Sequence, residues 1–157
     1  MDNASADPPA GIFCINFSGH HAKIAKSDMA KILLIDDDAE LRDIYARYLT
    51  ADGFQVLRAE SGERALKDFP GEDPAIILLD IRLPAQGGSA LMPQLKKAYP
   101  QAKIIVSSCY DLAFQKETIT NADAYFNKLD GCKALIAKLK PFLQEGHDFP
   151  AGVKKIS

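Results

Sequence analysis

From residue 31 onward the chain alternates short apolar runs with stretches in which apolar residues recur at helical spacing. Ile32, Leu33, Leu34 and Ile35 form the first run, and residues 54–58 and 75–79 the next two. Lys103, Ile104, Ile105 and Val106 make a fourth, and Ala124, Tyr125 and Phe126 a fifth. After the first run, Leu41, Ile44, Tyr45, Tyr48 and Leu49 share one helical face, with Gly53 as a C-terminal stop. Ser61 is placed to cap a second helix carrying Ala65, Leu66 and Phe69, closed by Pro70 and Gly71. A third helix is predicted over 88–99, with Pro93 near its first turn, because deeper in it would break the hydrogen-bond ladder. A fourth falls around 111–120. The last presents Leu135, Ile136, Leu139, Phe142 and Leu143 on one side, with Pro141 kinking it or ending its first segment.

Strands apolar on both faces belong to a parallel sheet covered by helices on both sides. Five of them alternating with five helices predict an open, doubly wound α/β domain. Residues 1–29 contain Pro8, Pro9, Gly11 and Gly19 without sustained periodicity, and read as an N-terminal extension. Absence of fixed structure, docking through Ile12 to Ile15 and a non-native origin are all open for it, and Met29 could be the natural start. The domain is expected over 30–145, with a C-terminal tail over 146–157.

Composition narrows the class. A hydrophobic fraction of 47% and a charged fraction of 25% are ordinary for a globular protein. The net charge of −2 provides no basic field for nucleic acid. No apolar run approaches the roughly 20 residues of a membrane span. The N-terminus lacks a basic region, which argues against a secretory signal. The odd cysteine count of 3, without a CxxC pair, argues for free thiols in a reducing cytoplasm.

The chemistry gathers where the apolar runs end: Asp36, Asp37 and Asp38 after the first, Asp80 after the third, Ser107 after the fourth, Lys128 after the fifth. In open α/β sheets the carboxyl ends of the strands border the functional crevice. Adjacent carboxylates repel one another, so convergence from two strand ends calls for a divalent cation and a lysine.

That ordered set resembles the receiver domain of bacterial two-component response regulators, over about residues 31–143. The resemblance is carried by Ile35-Asp36-Asp37-Asp38, Leu78-Leu79-Asp80-Ile81-Arg82-Leu83-Pro84 with Gly87-Gly88, Ile104-Ile105-Val106-Ser107, and Tyr125-Phe126-Asn127-Lys128. It implies a flavodoxin-like sheet of strand order 2-1-3-4-5. It implies Asp80 as phosphoacceptor, served by a histidine kinase or histidine phosphotransfer protein. It also implies Mg2+ held by Asp36, Asp37, Asp80 and the backbone carbonyl of Arg82, with Ser107 and Lys128 assisting. Ser107 and Tyr125 would form the switch, read by a protein target on the face of the fourth helix, fifth strand and fifth helix. The protein would be a monomer or a phosphorylation-dependent dimer.

Plainer roles exist for each residue. Asp37 or Asp38 could cap the first helix, and Asp38 is the better placed for it. Asp80 alone could be a turn residue, Ser108 could take the hydroxyl role after a register slip, and Tyr125 could be a half-buried strand aromatic. His20-His21 lacks a neighbouring ligand, and Cys109 reads as a small filler. Two departures from the family pattern stand out. Leu129 occupies the usual proline position after Lys128, so a trans peptide is expected there. Asn121 replaces a glycine before the fifth strand, which is milder because Asn tolerates the left-handed conformation.

The functional expectation is a stand-alone, cytoplasmic receiver, since residues 144–157 are too few for an output domain. It would not be an enzyme beyond its own phosphorylation and dephosphorylation. The alternatives are a pseudo-receiver that binds a partner constitutively, and an enzyme on the same fold. A flavodoxin would need a phosphate loop in place of the aspartates. A haloacid-dehalogenase-type phosphatase could use the Asp36-x-Asp38 spacing but would leave Asp80 without a role.

Overall fold

The computed structural model describes residues 12–14, 23–25, 29–81, 88–113, 116 and 120–143. Two short strands, β1 (Ile12–Cys14) and β2 (Lys23–Ala25), pair antiparallel, so part of the N-terminal segment has regular backbone structure. The main sheet holds β3 (Lys31–Ile35), β4 (Gln55–Ala59), β5 (Ile76–Asp80), β6 (Lys103–Ser108) and β7 (Ala124–Asn127). All are parallel, in the order β4-β3-β5-β6-β7. This is the predicted doubly wound topology. Around the sheet lie α1 (Ala39–Ala51), α2 (Gly62–Asp68), α3 (Gly88–Ala98) and a C-terminal helix, Gly131–Leu143. Of the helix predicted over 111–120, Leu112, Ala113 and Lys116 are helical, and most of the remainder lies outside the described residues. Among the described residues no helix is long and apolar enough to cross a membrane.

The central strands are apolar on both faces because two cores need them. Ile32, Leu34, Ile76, Leu78 and Ile105 pack with Tyr45 and Leu49 of α1 and Leu135, Leu139 and Leu143 of the C-terminal helix. Leu33, Ile35, Ile77, Leu79, Ile104 and Val106 pack on the other side with Ala65 of α2, Met92 and Leu95 of α3, and Tyr99 just past its end. Each aliphatic side chain buried in this way contributes about 1.5–3 kcal/mol of transfer free energy. The Tyr99 hydroxyl donates to the carbonyls of Ala65 (3.0 Å) and Phe69 (3.1 Å), tying α3 to the end of α2.

The predicted helix signals act as expected at three ends. Asp38 caps α1 by accepting from the Leu41 N–H at 3.0 Å, and Ser61 caps α2 by accepting from the Arg64 N–H at 3.2 Å. At the other end of α1, Gly53 has φ 93, and the N–H groups of Phe54 and Gly53 reach back to the carbonyls of Leu49 and Thr50. That pair of bonds is the Schellman arrangement, which requires a left-handed residue at Gly53.

Four expectations need correction. Pro93 is the sixth residue of α3 rather than part of its first turn, and the helix carries it without the N–H that would bond the Ser89 carbonyl. Of the two outcomes expected at Pro141, an end to the helix is excluded: the C-terminal helix runs through it to Leu143, because only one internal N–H is lost so near its end. On α1, Ile44 and Tyr48 are 39% and 51% exposed, and Ala46 joins Tyr45 and Leu49 in the core. The sheet ladder also extends one or two residues past the apolar runs. Asp80 pairs with Ser107 and Ser108 with Asn127, so these polar residues sit on the last rungs rather than beyond them.

Candidate functional site at the carboxyl ends of the strands

Three carboxylates meet in the crevice between the ends of β3 and β5. One oxygen from each of Asp36, Asp37 and Asp80 lies within 4.8 Å of the others. Their settings differ: Asp36 is buried, Asp80 half-buried and Asp37 exposed. Asp36 follows the last residue of β3, and its N–H bonds the Ala59 carbonyl at 3.1 Å, continuing the ladder. Its Oδ1 accepts the Asp38 N–H at 2.9 Å, and its backbone carbonyl accepts from Arg42 of α1. The strand end and the start of α1 are thereby held as one unit, and Asp38 serves as cap while Asp36 and Asp37 face the crevice.

Lys128 provides the positive charge. Its Nζ lies 2.8 Å from Asp36 Oδ2 and 2.9 Å from Asp80 Oδ1, and its side chain is 7% exposed. Burial alone would lower the lysine pKa. The bonds to Asp36 and Asp80 and their charges outweigh burial and hold it above its ordinary value. Burial pushes Asp80 the other way from an ordinary carboxylate, up to about 6. The nearby charges of Asp36 and Asp37 add to that rise, and Lys128 offsets part of it. One ammonium against three carboxylates leaves net negative charge in a half-buried crevice. Hard oxygen donors converging from separate elements suit a divalent cation, so the residues present fit the metal that the sequence pattern implies.

The hydroxyl position is settled by strand alternation. Ser107 is the register partner of Asp80, two rungs beyond the pair Leu78 and Ile105, so its side chain shares their face and that of the Asp80 side chain. Its Oγ is fully buried and has no hydrogen-bond partner among the described residues. Ser108 points to the opposite face, and its Oγ accepts the Tyr110 N–H at 3.2 Å. The bare hydroxyl beside Asp80 therefore belongs to Ser107, not Ser108. Tyr125 is half-buried, pairs with Val106 and packs with the second core, so the register places it on the face opposite Ser107. The carbonyl of Arg82 lies outside the described residues.

Sequence reasoning missed Tyr45 as a neighbour of the site. Its hydroxyl is buried without a hydrogen-bond partner among the described residues. Burial, then the charges of Cys132, Asp36 and Asp80 among others, push its pKa above the usual phenol range. Helical periodicity identified the residue as core but could not show where its oxygen would point. Asn121 stands at φ 74, as expected, and Asp123 just after it accepts the Ile104 N–H at 2.8 Å, guiding the chain into the edge strand β7.

A doubly wound sheet with an acidic crevice, a buried lysine and a free hydroxyl at its strand ends defines an open α/β domain whose polar chemistry gathers at one edge of the sheet. The chain belongs to the response regulator receiver domain family, whose match spans residues 32–140. Phosphorylation and divalent-metal binding are general to that family, and its members interact with histidine kinases and downstream targets. The chain is 31% identical over 122 residues to the transcriptional regulatory protein CpxR of Escherichia coli (strain K12), covering 76% of this chain and 51% of that protein. It is 32% identical over 118 residues to the probable transcriptional regulator ycf27 of Porphyridium aerugineum, covering 73% and 48%. It thus spans about half the length of these curated relatives. Among solved structures, response regulator TrrA of Thermotoga maritima in complex with Mg(2+)-BeF aligns with a TM-score of 0.63 and 30% identity, covering 73% of this chain and 100% of that one. A Burkholderia pseudomallei response regulator with a phosphorylated aspartic acid, calcium ion and citrate aligns with a TM-score of 0.60 and 28% identity, covering 69% and 65%.

Proposed function

We propose that this receiver takes a phosphoryl group on Asp80 in a Mg2+-dependent reaction and passes the signal to a protein partner. The observation that carries the reading is the setting of Asp80. Its carboxylate is the one in the cluster that shares a rung with a bare buried hydroxyl while also touching Lys128.

A phosphohistidine of a histidine kinase or phosphotransfer protein is the expected donor, and acetyl phosphate is a small-molecule substitute. An Asp80 oxygen attacks phosphorus, the bond from phosphorus to the donor nitrogen or acetate oxygen breaks, and an acyl phosphate forms. Asp36, Asp37 and Asp80 would hold Mg2+, which supplies charge neutralisation on the phosphoryl oxygens. Lys128 supplies a second positive charge to those oxygens, exchanging its contact with Asp80 for one with the phosphate. Ser107 donates its hydroxyl to the same group, which gives its unpaired Oγ a partner. The added charge, about −1.5 to −2 at neutral pH, then biases the β6 end toward the phosphate, with Tyr125 as the aromatic that responds.

The chemistry amounts to self-phosphorylation and dephosphorylation, with no turnover of an outside substrate. A cytoplasmic receiver domain that signals by protein contact, as monomer or phosphorylation-dependent dimer, completes the reading. Its net charge of −2 supports a protein rather than a nucleic-acid target.

The test is intact-protein mass after incubation with acetyl phosphate and Mg2+, beside Asp80→Asn and a metal-free control. One phosphoryl adduct on the wild type, missing from both controls, is expected. No adduct together with no measurable Mg2+ binding would transfer the reading to a constitutive, unphosphorylated binding module.

A further inference from the structure

The lysine at the centre of the site is not delivered by a strand. β7 ends at Asn127, and Lys128 is the first residue of a single 3-10 turn, Lys128–Asp130. An isolated turn is a weak support for a side chain that must reach two carboxylates at once. Something has to fix its backbone.

Asn127 supplies that restraint. Its backbone is extended, with φ −90 and ψ 121, and its side-chain oxygen accepts the N–H of Leu129 at 2.9 Å, two residues on. This is an Asx turn, in which a side chain substitutes for a backbone acceptor and bends the chain sharply. The far end is closed by the Gly131 N–H bonding the Lys128 carbonyl, with Gly131 at φ 80 where a Cβ would be strained. Lys128 is therefore clasped from both sides: the bond across it comes from Asn127, and the bond to its own carbonyl comes from Gly131.

Leu129 shows which part of the turn matters. Its side chain is 77% exposed, a large apolar group left in solvent. What the residue contributes inward is its N–H, which proline would lack. Asn127 itself is anchored, being the register partner of Ser108 in the sheet. The restraint thus runs from the sheet through the Asn127 side chain to the turn that aims Lys128.

We propose that Asn127 is the positioning residue for Lys128, and that its side-chain bond to the Leu129 N–H sets how fast Asp80 takes a phosphoryl group. The inference rests on the phosphoryl-accepting reading above and adds a residue to it. Asn127 touches neither the phosphoryl group nor the metal, and acts only through the aim of the lysine.

The experiment compares wild type, Asn127→Ala and Asn127→Ser, all as the full chain. Alanine removes the acceptor, whereas serine keeps an oxygen able to close the same kind of turn. Two readouts are taken: the phosphorylation rate as acetyl phosphate is varied, and the 1H–15N signal of the Lys128 ammonium without phosphodonor. In wild type that ammonium signal is expected to be protected by its two carboxylate partners. Asn127→Ala should slow the maximal rate by about five- to tenfold, the factor controlled by one neutral hydrogen bond, and broaden the ammonium signal. The donor concentration at half-maximal rate should stay unchanged. Asn127→Ser should recover most of both, and thermal melting should show all three proteins folded with a single cooperative transition. An Asn127→Ala variant with wild-type rate and ammonium signal overturns the proposal. So does a serine variant as impaired as alanine. If the wild type itself takes no phosphoryl group, the functional reading fails first, and the ammonium signal still decides whether Asn127 positions Lys128.

Discussion

Replacing Asp80 with Asn should make the metal-free protein more stable at neutral pH, although it destroys the proposed acceptor. Burial and the charges of Asp36 and Asp37 raise the Asp80 pKa from 3.8 to about 6 in the folded protein. At 1.36 kcal/mol per unit, keeping this group ionised in the folded state at pH 7.5 costs about 3 kcal/mol. Asn has nearly the shape of the protonated acid and carries no charge, so the variant avoids that cost. The expected gain is about 1–3 kcal/mol, or roughly 4 °C in Tm for each kcal/mol. The sign follows from proton linkage. A carboxylate with a raised folded pKa holds its proton more tightly when folded, so wild-type stability falls as pH rises from about 4 to about 6 and levels off above. The advantage of the Asp80→Asn variant is therefore absent below pH 4 and complete above pH 6. Mg2+ should reverse the order. At about 100 times its Kd it adds about 2.7 kcal/mol to the wild type, and less to a variant that has lost a ligand. Urea unfolding of both proteins from pH 4 to 8, in EDTA and in Mg2+, measures all of this. A variant no more stable than wild type at pH 7.5 in EDTA, or a gap that does not change with pH, would falsify the electrostatic account.

Lys128→Met should destabilise the metal-free protein by about 3–5 kcal/mol, since it leaves buried Asp36 without its counter-charge, and Mg2+ should restore part of the loss in the same unfolding assay. Ser107→Ala should leave stability unchanged or slightly raised, because the hydroxyl it removes has no partner among the described residues, while slowing phosphorylation about a hundredfold in the mass assay, on the scale of one lost transition-state donor. Tyr45→Phe removes another buried, unpartnered hydroxyl and should raise stability by about 1 kcal/mol; a loss of that size by thermal melting would mean the oxygen has a partner in solution. Gly62→Ala should destabilise by about 1–3 kcal/mol, although alanine is the better helix former, because its Cβ would fall 2.2 Å from Leu91 Cδ2.

The sequence by itself determined the class of fold, because its signals are local. Runs such as Ile32 to Ile35 need apolar surroundings on both faces, and only a covered parallel sheet provides them. Asp38, Ser61 and Gly53 act on backbone groups within a few residues, so their roles as caps and stop are legible without the rest of the chain. The acidic, hydroxyl and amine groups at the strand ends could be named because a doubly wound sheet brings those ends to one edge.

Tertiary structure decided everything that depends on distance and direction. Periodicity could not say that Ile44 and Tyr48 face outward, since helix phase is set by which neighbours arrive, here β3 and the C-terminal helix. It could not choose Ser107 over Ser108, because a one-residue slip exchanges the two faces of a strand and only the pairing of Asp80 with Ser107 fixes that choice. Nor could it show that Gly62 lies directly against the Leu91 side chain, 29 residues away. Lys128 was legible as a charge, but its contacts of 2.8 and 2.9 Å with Asp36 and Asp80 depend on a turn that Asn127 closes, a relation between side chain and backbone that residue types alone do not specify.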